Sequence, residues 1–303
     1  MYFAQTIVDA AALGSLYALV ALAIGFVFGI MRLINFAQGD YITIGAYSLI
    51  VPSAAAAPGL MFGALPIPLM LCAIIALVIV IALVTERIAF RPLRQTNAAT
   101  LLVSSFAVSY FLQHLVMLVY TSRPKSIDIS HGLNTVIGIG GLRVPGTELI
   151  TIGVCAALLI ALLMFLRLTP MGIQMRAAAE NFQMARLLGI PANRIIAVAF
   201  AISGVLSGAV SMLFVMQTGT LDIHMGSLPV IYAFFATVIG GMGSLAGAVL
   251  GGFIVGCFGV FLQAYLPSDL RPFRDAGVFA LVILTLLVKP NGLIANSNNR
   301  ERV

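Results

Sequence analysis

Lysine is almost missing from this chain: Lys125 and Lys289 are the only two in 303 residues. Neither follows a glycine, so the Gly-Lys-Ser/Thr core of a phosphate-binding P-loop occurs nowhere. Charge of any kind is scarce, at 9% of residues, and tryptophan is absent. There is no His-Glu-x-x-His and no Gly-x-Ser-x-Gly, and His114, His131 and His224 stand too far apart for a local zinc motif. Hydrolysis by these routes is excluded, and the chain is expected to hold no cofactor and no metal. Cys72, Cys155 and Cys257 each sit alone inside an apolar run. They read as small core residues.

What is there instead is apolar surface. Hydrophobic residues make up 61% of the chain and the mean hydropathy is +1.11, more than a soluble domain can hide. The apolar stretches are continuous rather than alternating, which selects helices over a barrel. The expected fold is all-α, a polytopic transmembrane helical bundle of about eight spans. They fall roughly at 7–30, 39–57, 68–89, 98–120, 148–167, 194–216, within a Gly-split region at 228–264, and at 275–289; the second is short and followed by Pro52 and Pro58, so it is expected to be broken or tilted. That Gly-rich region either crosses twice or dips as a re-entrant helix pair. The first run lacks a basic leader and reads as a retained span. The longest polar interval, 121–148, carries no convincing strand pattern, so residues 1–303 are expected to form one membrane domain with a cytoplasmic loop at 168–193.

The net charge of +6 comes from basic residues at span ends rather than from a patch, which argues against nucleic acid as a partner. Placing the 167–194 loop in the cytoplasm puts eleven of the sixteen basic residues inside and five outside. The N-terminus is then outside and the C-terminus cytoplasmic. Ionisable residues inside the spans, the usual mark of an ion-coupled carrier, are nearly absent: Asp40 and Glu86 lie near span ends, and His114 beside Gln113 is the nearest to a buried titratable site. The energy for any transport comes from elsewhere.

Three stretches stand out. Arg167 to Arg194 is a polar island that reads as a short amphipathic helix, with Pro170 in its first turn and Gly189–Ile190 as its stop. Met175, Ala178, Ala179, Phe182, Ala185 and Leu188 share one face at helical spacing. Met31–Tyr47 places Asn35, Gln38 and Asp40 between apolar runs, with Gly39 allowing a turn. It is either a cytoplasmic turn capped by Asp40 or a polar break at the mouth of a solute route. Small residues recur at four-residue steps as Ser203, Ser207 and Ser211 beside Gly204 and Gly208, then as Gly247/Gly251 and Gly252/Gly256. Such faces serve close helix packing within the chain, or meet a second subunit or line a path.

These blocks carry a resemblance. The run GSLYALVALAIGFVFGIMRLINFAQGDYITIGAY at 14–47 resembles the start of the permease subunits of branched-chain amino acid ABC importers. MRAAAENFQMARLLGI at 175–190 is similar to their coupling segment, TVIGGMGSLAGAVLGG at 237–252 to their Gly-rich late region, and LVKPNGLI at 287–294 to their ending. The length fits the LivH-like branch.

The resemblance implies transport of leucine, isoleucine and valine by alternating access in a bacterial inner membrane. Relatives that carry urea, amides or other amino acids share these landmarks, and a stand-alone channel or ion-coupled carrier is the reading from another class. Its implied partners are a second homologous permease, two cytoplasmic P-loop ATPases that hydrolyse the ATP, a periplasmic solute-binding protein, the amino-acid substrate and membrane lipid. By match to the coupling segment, the implied ATPase-coupling residues are Ala178, Ala179, Glu180, Ala185, Leu188, Gly189 and Ile190. Asn35, Gln38, Asp40, Ser104 and Ser105 are the candidate path residues. Two departures stand: the coupling block lacks the Gly four residues after a Glu-Ala-Ala, and Gln38 replaces the His of many relatives, against a proton or metal role there.

Overall fold

Eleven α-helices and four short strands make up the described part of the computed structural model. It describes all residues except 1, 32, 54, 56, 95, 130–135, 140–141, 242, 291 and 295–303. Arg32, Arg300 and Arg302, three of the residues used for orientation, lie outside the described residues, as do His131, Met242 of the Gly-rich block and Asn291 of the closing motif.

The helices are α1 (Tyr2–Met31), α2 (Gln38–Tyr47), α3 (Ile67–Thr85), α4 (Ala98–Tyr120), α5 (Gly146–Leu168), α6 (Pro170–Glu180), α7 (Phe182–Leu187), α8 (Ala192–Thr218), α9 (Ser227–Gly240), α10 (Leu245–Tyr265) and α11 (Arg274–Val288). After α3 the chain widens into a π turn, Glu86–Phe90, closed by Arg91 N–H on the Glu86 carbonyl at 2.7 Å. Among the described residues six helices are long and apolar enough to cross a membrane: α1, α3 with its π turn, α4, α5, α8 and α10. The fold is the all-α polytopic bundle that the apolar runs predict.

Several expectations are corrected. The span at 39–57 is a helix of only 10 residues, about 15 Å long, and the span at 275–289 is the 15-residue α11. The region 228–264 divides into the 14-residue α9 and the 21-residue α10, of which only α10 has full crossing length. Strands were not expected between 121 and 148. Yet β2 (Val136–Ile139) pairs with β3 (Leu142–Pro145), and β1 (Lys125–Ser126) pairs with β4 (Thr220–Leu221), both antiparallel. β-branched residues on either side of Gly140 and Gly141, themselves outside the described residues, were the readable signal. Of the cysteines only Cys155 is buried; Cys257 is half-buried with its thiol on the Ala10 carbonyl at 3.2 Å, and Cys72 is exposed.

The chain clusters into two units. One comprises residues 1–25, 130–157 and 231–303. Here the two glycine pairs of α10 go to two different neighbours. Cβ atoms at Gly247 and Gly251 would strike the carbonyls of Gly240 and Ala236 on α9, while at Gly252 and Gly256 they would meet the backbone of α1 at Ala18 and Gly14. Both small-residue faces are intrachain packing, as close van der Waals approach in lipid requires.

The other unit comprises residues 26–129 and 158–230. Its core is α8 packed on α3 and α2. Gly204 and Gly208 admit the α3 backbone, a Cβ at either lying 3.0 and 2.9 Å from the Cα atoms of Ile79 and Ile75. Lys125, only 1% exposed, donates to the carbonyls of Ser53 and Ala55 and ties down the loop after α2. Lys125→Met leaves both carbonyls unpaired, and an unsatisfied buried acceptor costs about 1–3 kcal/mol. The expected result is a clear drop in the thermal midpoint of the detergent-solubilised protein; no drop would mean that the loop is held by other contacts.

Candidate translocation site

The sequence Asn35-Phe-Ala-Gln-Gly-Asp interrupts the second crossing. Arg94 immediately precedes α4 and Lys125 follows it, and the stretch 31–55 runs from the level of the first to the level of the second. Among its described residues a turn at 36–37 leads into the short α2, and a turn at 48–49 leads out of it to the Ile50–Leu60 bridge. The helix starts deep: Phe36 stacks on Phe106 at 4.4 Å between centroids, and Gln38 bonds to Ser203 and Ser207, near the middle of α8.

Gln38 is completely buried and fully engaged. Its Nε2 donates to the Ser207 hydroxyl and to the Ser203 carbonyl at 3.3 Å, and its Oε1 accepts from the Ser203 hydroxyl at 2.6 Å. Asn35 Oδ1 accepts the Ala37 N–H at 3.1 Å and shapes the turn into α2. The Tyr41 hydroxyl pairs with Thr85 Oγ1 at 2.5 Å. Among the described residues of this stretch three buried atoms stay without a hydrogen-bond partner: Asn35 Nδ2, Asp40 Oδ2 and, at the far end of α2, Tyr47 Oη. Ser109 and Gln113 of α4 and His224 are the polar groups that face the Asp40 carboxylate.

A second short helix begins at the same place. Gly226, just before α9, lies backbone to backbone against Gly39: a Cβ at Gly39 would be 2.7 Å from the Gly226 carbonyl oxygen, and one at Gly226 would fall on the Gly39 carbonyl. The Gly226 N–H donates to Thr43 Oγ1 at 3.3 Å, and that hydroxyl donates to the Gly39 carbonyl at 3.1 Å. The arrangement is two helix starts meeting deep in an apolar unit, surrounded by amide, hydroxyl and carboxyl groups. Broken backbone at that depth is tolerated where it lines a protein-enclosed route.

The 168–193 loop forms two helices rather than one. Thr169 caps α6 by accepting the Gly172 N–H at 3.0 Å, and Pro170 opens its first turn. A Cβ at Gly172 would fall on the Phe165 carbonyl, so only glycine lets α6 fold back against the end of α5. Asn181 breaks the helix at φ −148°, ψ 99° and caps α7 by accepting the Met184 N–H at 3.1 Å. The end of α7 is a Schellman turn: Gly189 at φ 85°, Ile190 N–H on the Ala185 carbonyl and Gly189 N–H on the Arg186 carbonyl, both at 3.1 Å.

The break at Asn181 shifts the helical phase and splits the expected apolar face. Met175, Ala178 and Ala185 are buried, Ala179, Phe182 and Ile190 half-buried, and Glu180 and Gly189 exposed. Leu188 departs from that face and stands 82% exposed, beside Leu187 at 83% and one turn from the exposed Met184. An apolar patch of this kind on a polar loop marks a surface that meets a partner.

The chain matches the family described as branched-chain amino acid transport system / permease component over residues 6–288. The chain belongs to this permease family. It is 34% identical over 300 residues to the high-affinity branched-chain amino acid transport system permease protein BraD of Pseudomonas aeruginosa, covering 97% of this chain and 96% of the relative. Similarity to the permease protein LivH of Escherichia coli is 33% over 298 residues, with the same coverage. A probable LivH of Methanocaldococcus jannaschii is 27% identical over 298 residues, covering 92% and 88%. No solved structure matches the chain.

In this permease Asn35, Gln38 and Asp40 share the turn that opens α2 but face different neighbours: Gln38 bonds to α8, and Asp40 faces Ser109 and Gln113 of α4. Ser104 and Ser105 are not part of that cluster by any bond: Ser105 is buried but donates to the Leu102 carbonyl of its own helix at 2.7 Å, and Ser104 is half-buried. His114 is exposed and bonds the Tyr110 carbonyl at 2.9 Å, so it is no buried site. The residues that sequence reading did not assign to the site are Ser109, Gln113, Gly226 and His224. The readable signal for His224 and Gly226 was the stretch Asp222-Ile-His-Met-Gly-Ser ahead of α9, which repeats the polar-then-glycine pattern of residues 35–40.

Proposed function

We propose that this multi-pass permease is the membrane-spanning subunit of an ATP-driven importer and that its cargo is branched-chain amino acids. The observation that carries the reading is the interrupted crossing at Asn35–Asp40, a polar start of a short helix in a chain that has almost no charge to spend elsewhere. The names of the relatives support the cargo. In this reading the permease pairs with a second homologous permease, receives solute from a periplasmic binding protein and is driven by two cytoplasmic ATPases that supply all ATP chemistry. The N-terminus is outside and the C-terminus in the cytoplasm of a bacterial inner membrane.

The segment 168–193 docks on an ATPase. Leu187 and Leu188 provide the apolar face, Glu180 a polar contact and Gly189 the turn, while Ala178, Ala179, Ala185 and Ile190 fix the two helices to the spans. At the other end of the coupling, Asp40 with its free oxygen, and Asn35 with its free amide, offer an acceptor and a donor to a zwitterionic solute.

The test of the path is Asp40→Asn in the assembled transporter. Hydrogen bonds to charged groups contribute about 1.5–3 kcal/mol, so leucine uptake is expected to fall at least roughly tenfold with assembly unchanged. Uptake equal to wild type would remove Asp40 from the route.

A further inference from the structure

Below the coupling segment lies a cavity of about 630 Å³ that the transport reading leaves unused. Its walls come from the ends of four long apolar helices: Ile30 and Met31 close α1, Arg91 follows the α3 span, Leu101 lies near the start of α4, and Ile196 near the start of α8. Four apolar helices of 23 to 30 residues ending at one level mark where hydrocarbon gives way to headgroups. The cavity sits at that boundary.

Its charge is lopsided. Arg94 is ion-paired with Glu86 and donates to Asn193 Oδ1 at 2.6 Å, which fixes it in place, while its Nε is buried without an acceptor. Arg91 and Arg186 are exposed and have no acidic partner among the described residues. Three guanidinium groups therefore edge a pocket whose floor is aliphatic, with one carboxylate to offset them. Guanidinium groups match phosphate oxygens in planar, paired hydrogen bonds, and the aliphatic floor matches an acyl chain.

We propose that this pocket binds the headgroup of an anionic phospholipid, with the phosphate at Arg91, Arg94 and Arg186 and an acyl chain against Ile30, Leu101 and Ile196. The net excess of positive charge selects an anionic lipid over a zwitterionic one. A soluble phosphate compound would leave the aliphatic floor empty. Phe182 and Arg186 belong to α7, so the bound lipid ties the coupling segment to the ends of the spans. That consequence rests on the coupling role proposed above; the lipid site itself does not.

The experiment uses the whole transporter assembly, purified into nanodiscs of mixed phosphatidylglycerol and phosphatidylcholine and released for native mass spectrometry. Phosphatidylglycerol is expected to stay bound to wild type, and to Arg91→Lys/Arg186→Lys. In Arg91→Gln/Arg186→Gln its apparent affinity should fall roughly thirtyfold, as two basic residues at an anionic surface imply. Arg176→Gln/Arg194→Gln removes the same charge from exposed positions outside the pocket and should retain it. Equal loss in both glutamine pairs, or no loss in the pocket pair, overturns the site. So does a cross-link from a cysteine at position 186 to an acidic ATPase segment that excludes lipid. Leucine uptake that ignores lipid composition while the lipid remains bound would instead overturn only the tie to coupling.

Discussion

Replacing Glu180 with Lys and Leu188 with Asp is expected to abolish uptake while the permease inserts and accumulates normally. Both side chains are exposed, Leu188 at 82%, and surface substitutions of this kind stay within about ±0.5 kcal/mol of neutral for the fold. Docking is another matter. An Asp at position 188 would have to be desolvated inside an apolar contact, and leaving a charge unpaired in an interface costs about 2–5 kcal/mol. Two such changes weaken the ATPase contact by a hundredfold or more on the order-of-magnitude scale of 1.4 kcal/mol per tenfold. ATP-dependent leucine uptake and membrane abundance measured side by side decide it. Normal uptake with normal abundance would remove the coupling role. Ala185→Asp is a useful contrast, because Ala185 is buried within the chain and should lower abundance itself.

Gly226→Val is expected to have the largest effect on the fold. The added side chain would fall on the Gly39 carbonyl, with backbone on both sides and no flexible group to give way. Forcing single methylenes into packed cores costs about 1–3 kcal/mol, and here the start of α2 must move with its Gln38 bonds to Ser203 and Ser207. The variant should be scarce in membranes and melt well below wild type in detergent. Gly153→Ala is the internal control, since nothing lies within 4 Å of its Cβ. In a helix interior that change gains up to about 1 kcal/mol. Equal melting of the two variants would contradict the backbone-to-backbone packing of Gly39 on Gly226.

Much of the fold was legible because lipid imposes simple rules. Long apolar runs give α1, α3, α4, α5, α8 and α10, and the glycine pairs of α10 mark its two close neighbours. The second crossing was legible as short and interrupted, with Pro52 and Pro58 after it, but the place where its helix begins was not. Residues 39–57 are apolar enough to read as a span, and what fixes the start of the helix is tertiary: Gln38, its first residue, finds its partners on α8, 165 and 169 residues away. No local window contains that information. The break at Asn181 was different, since a residue that favours N-caps stood in the middle of a short amphipathic pattern. Its preference was outweighed by the regular spacing of Met175, Ala178, Phe182 and Ala185, and Leu188 was placed on the wrong face as a result. The site was half visible. Asn35, Gln38 and Asp40 declared themselves as a polar break, but Ser109 looked like an ordinary position on an apolar helix, and Gln113 drew notice only through its neighbour His114.

The measurement that bears most directly on the central claim is leucine uptake into vesicles reconstituted with this permease, first alone and then with the membrane and ATPase proteins that co-purify with it. The expected result is no passage by the permease alone, and uptake that appears only with the partners, the solute-binding protein and ATP together. Leucine entering vesicles that hold the permease alone, without ATP, would contradict it and make the chain a carrier or channel in its own right.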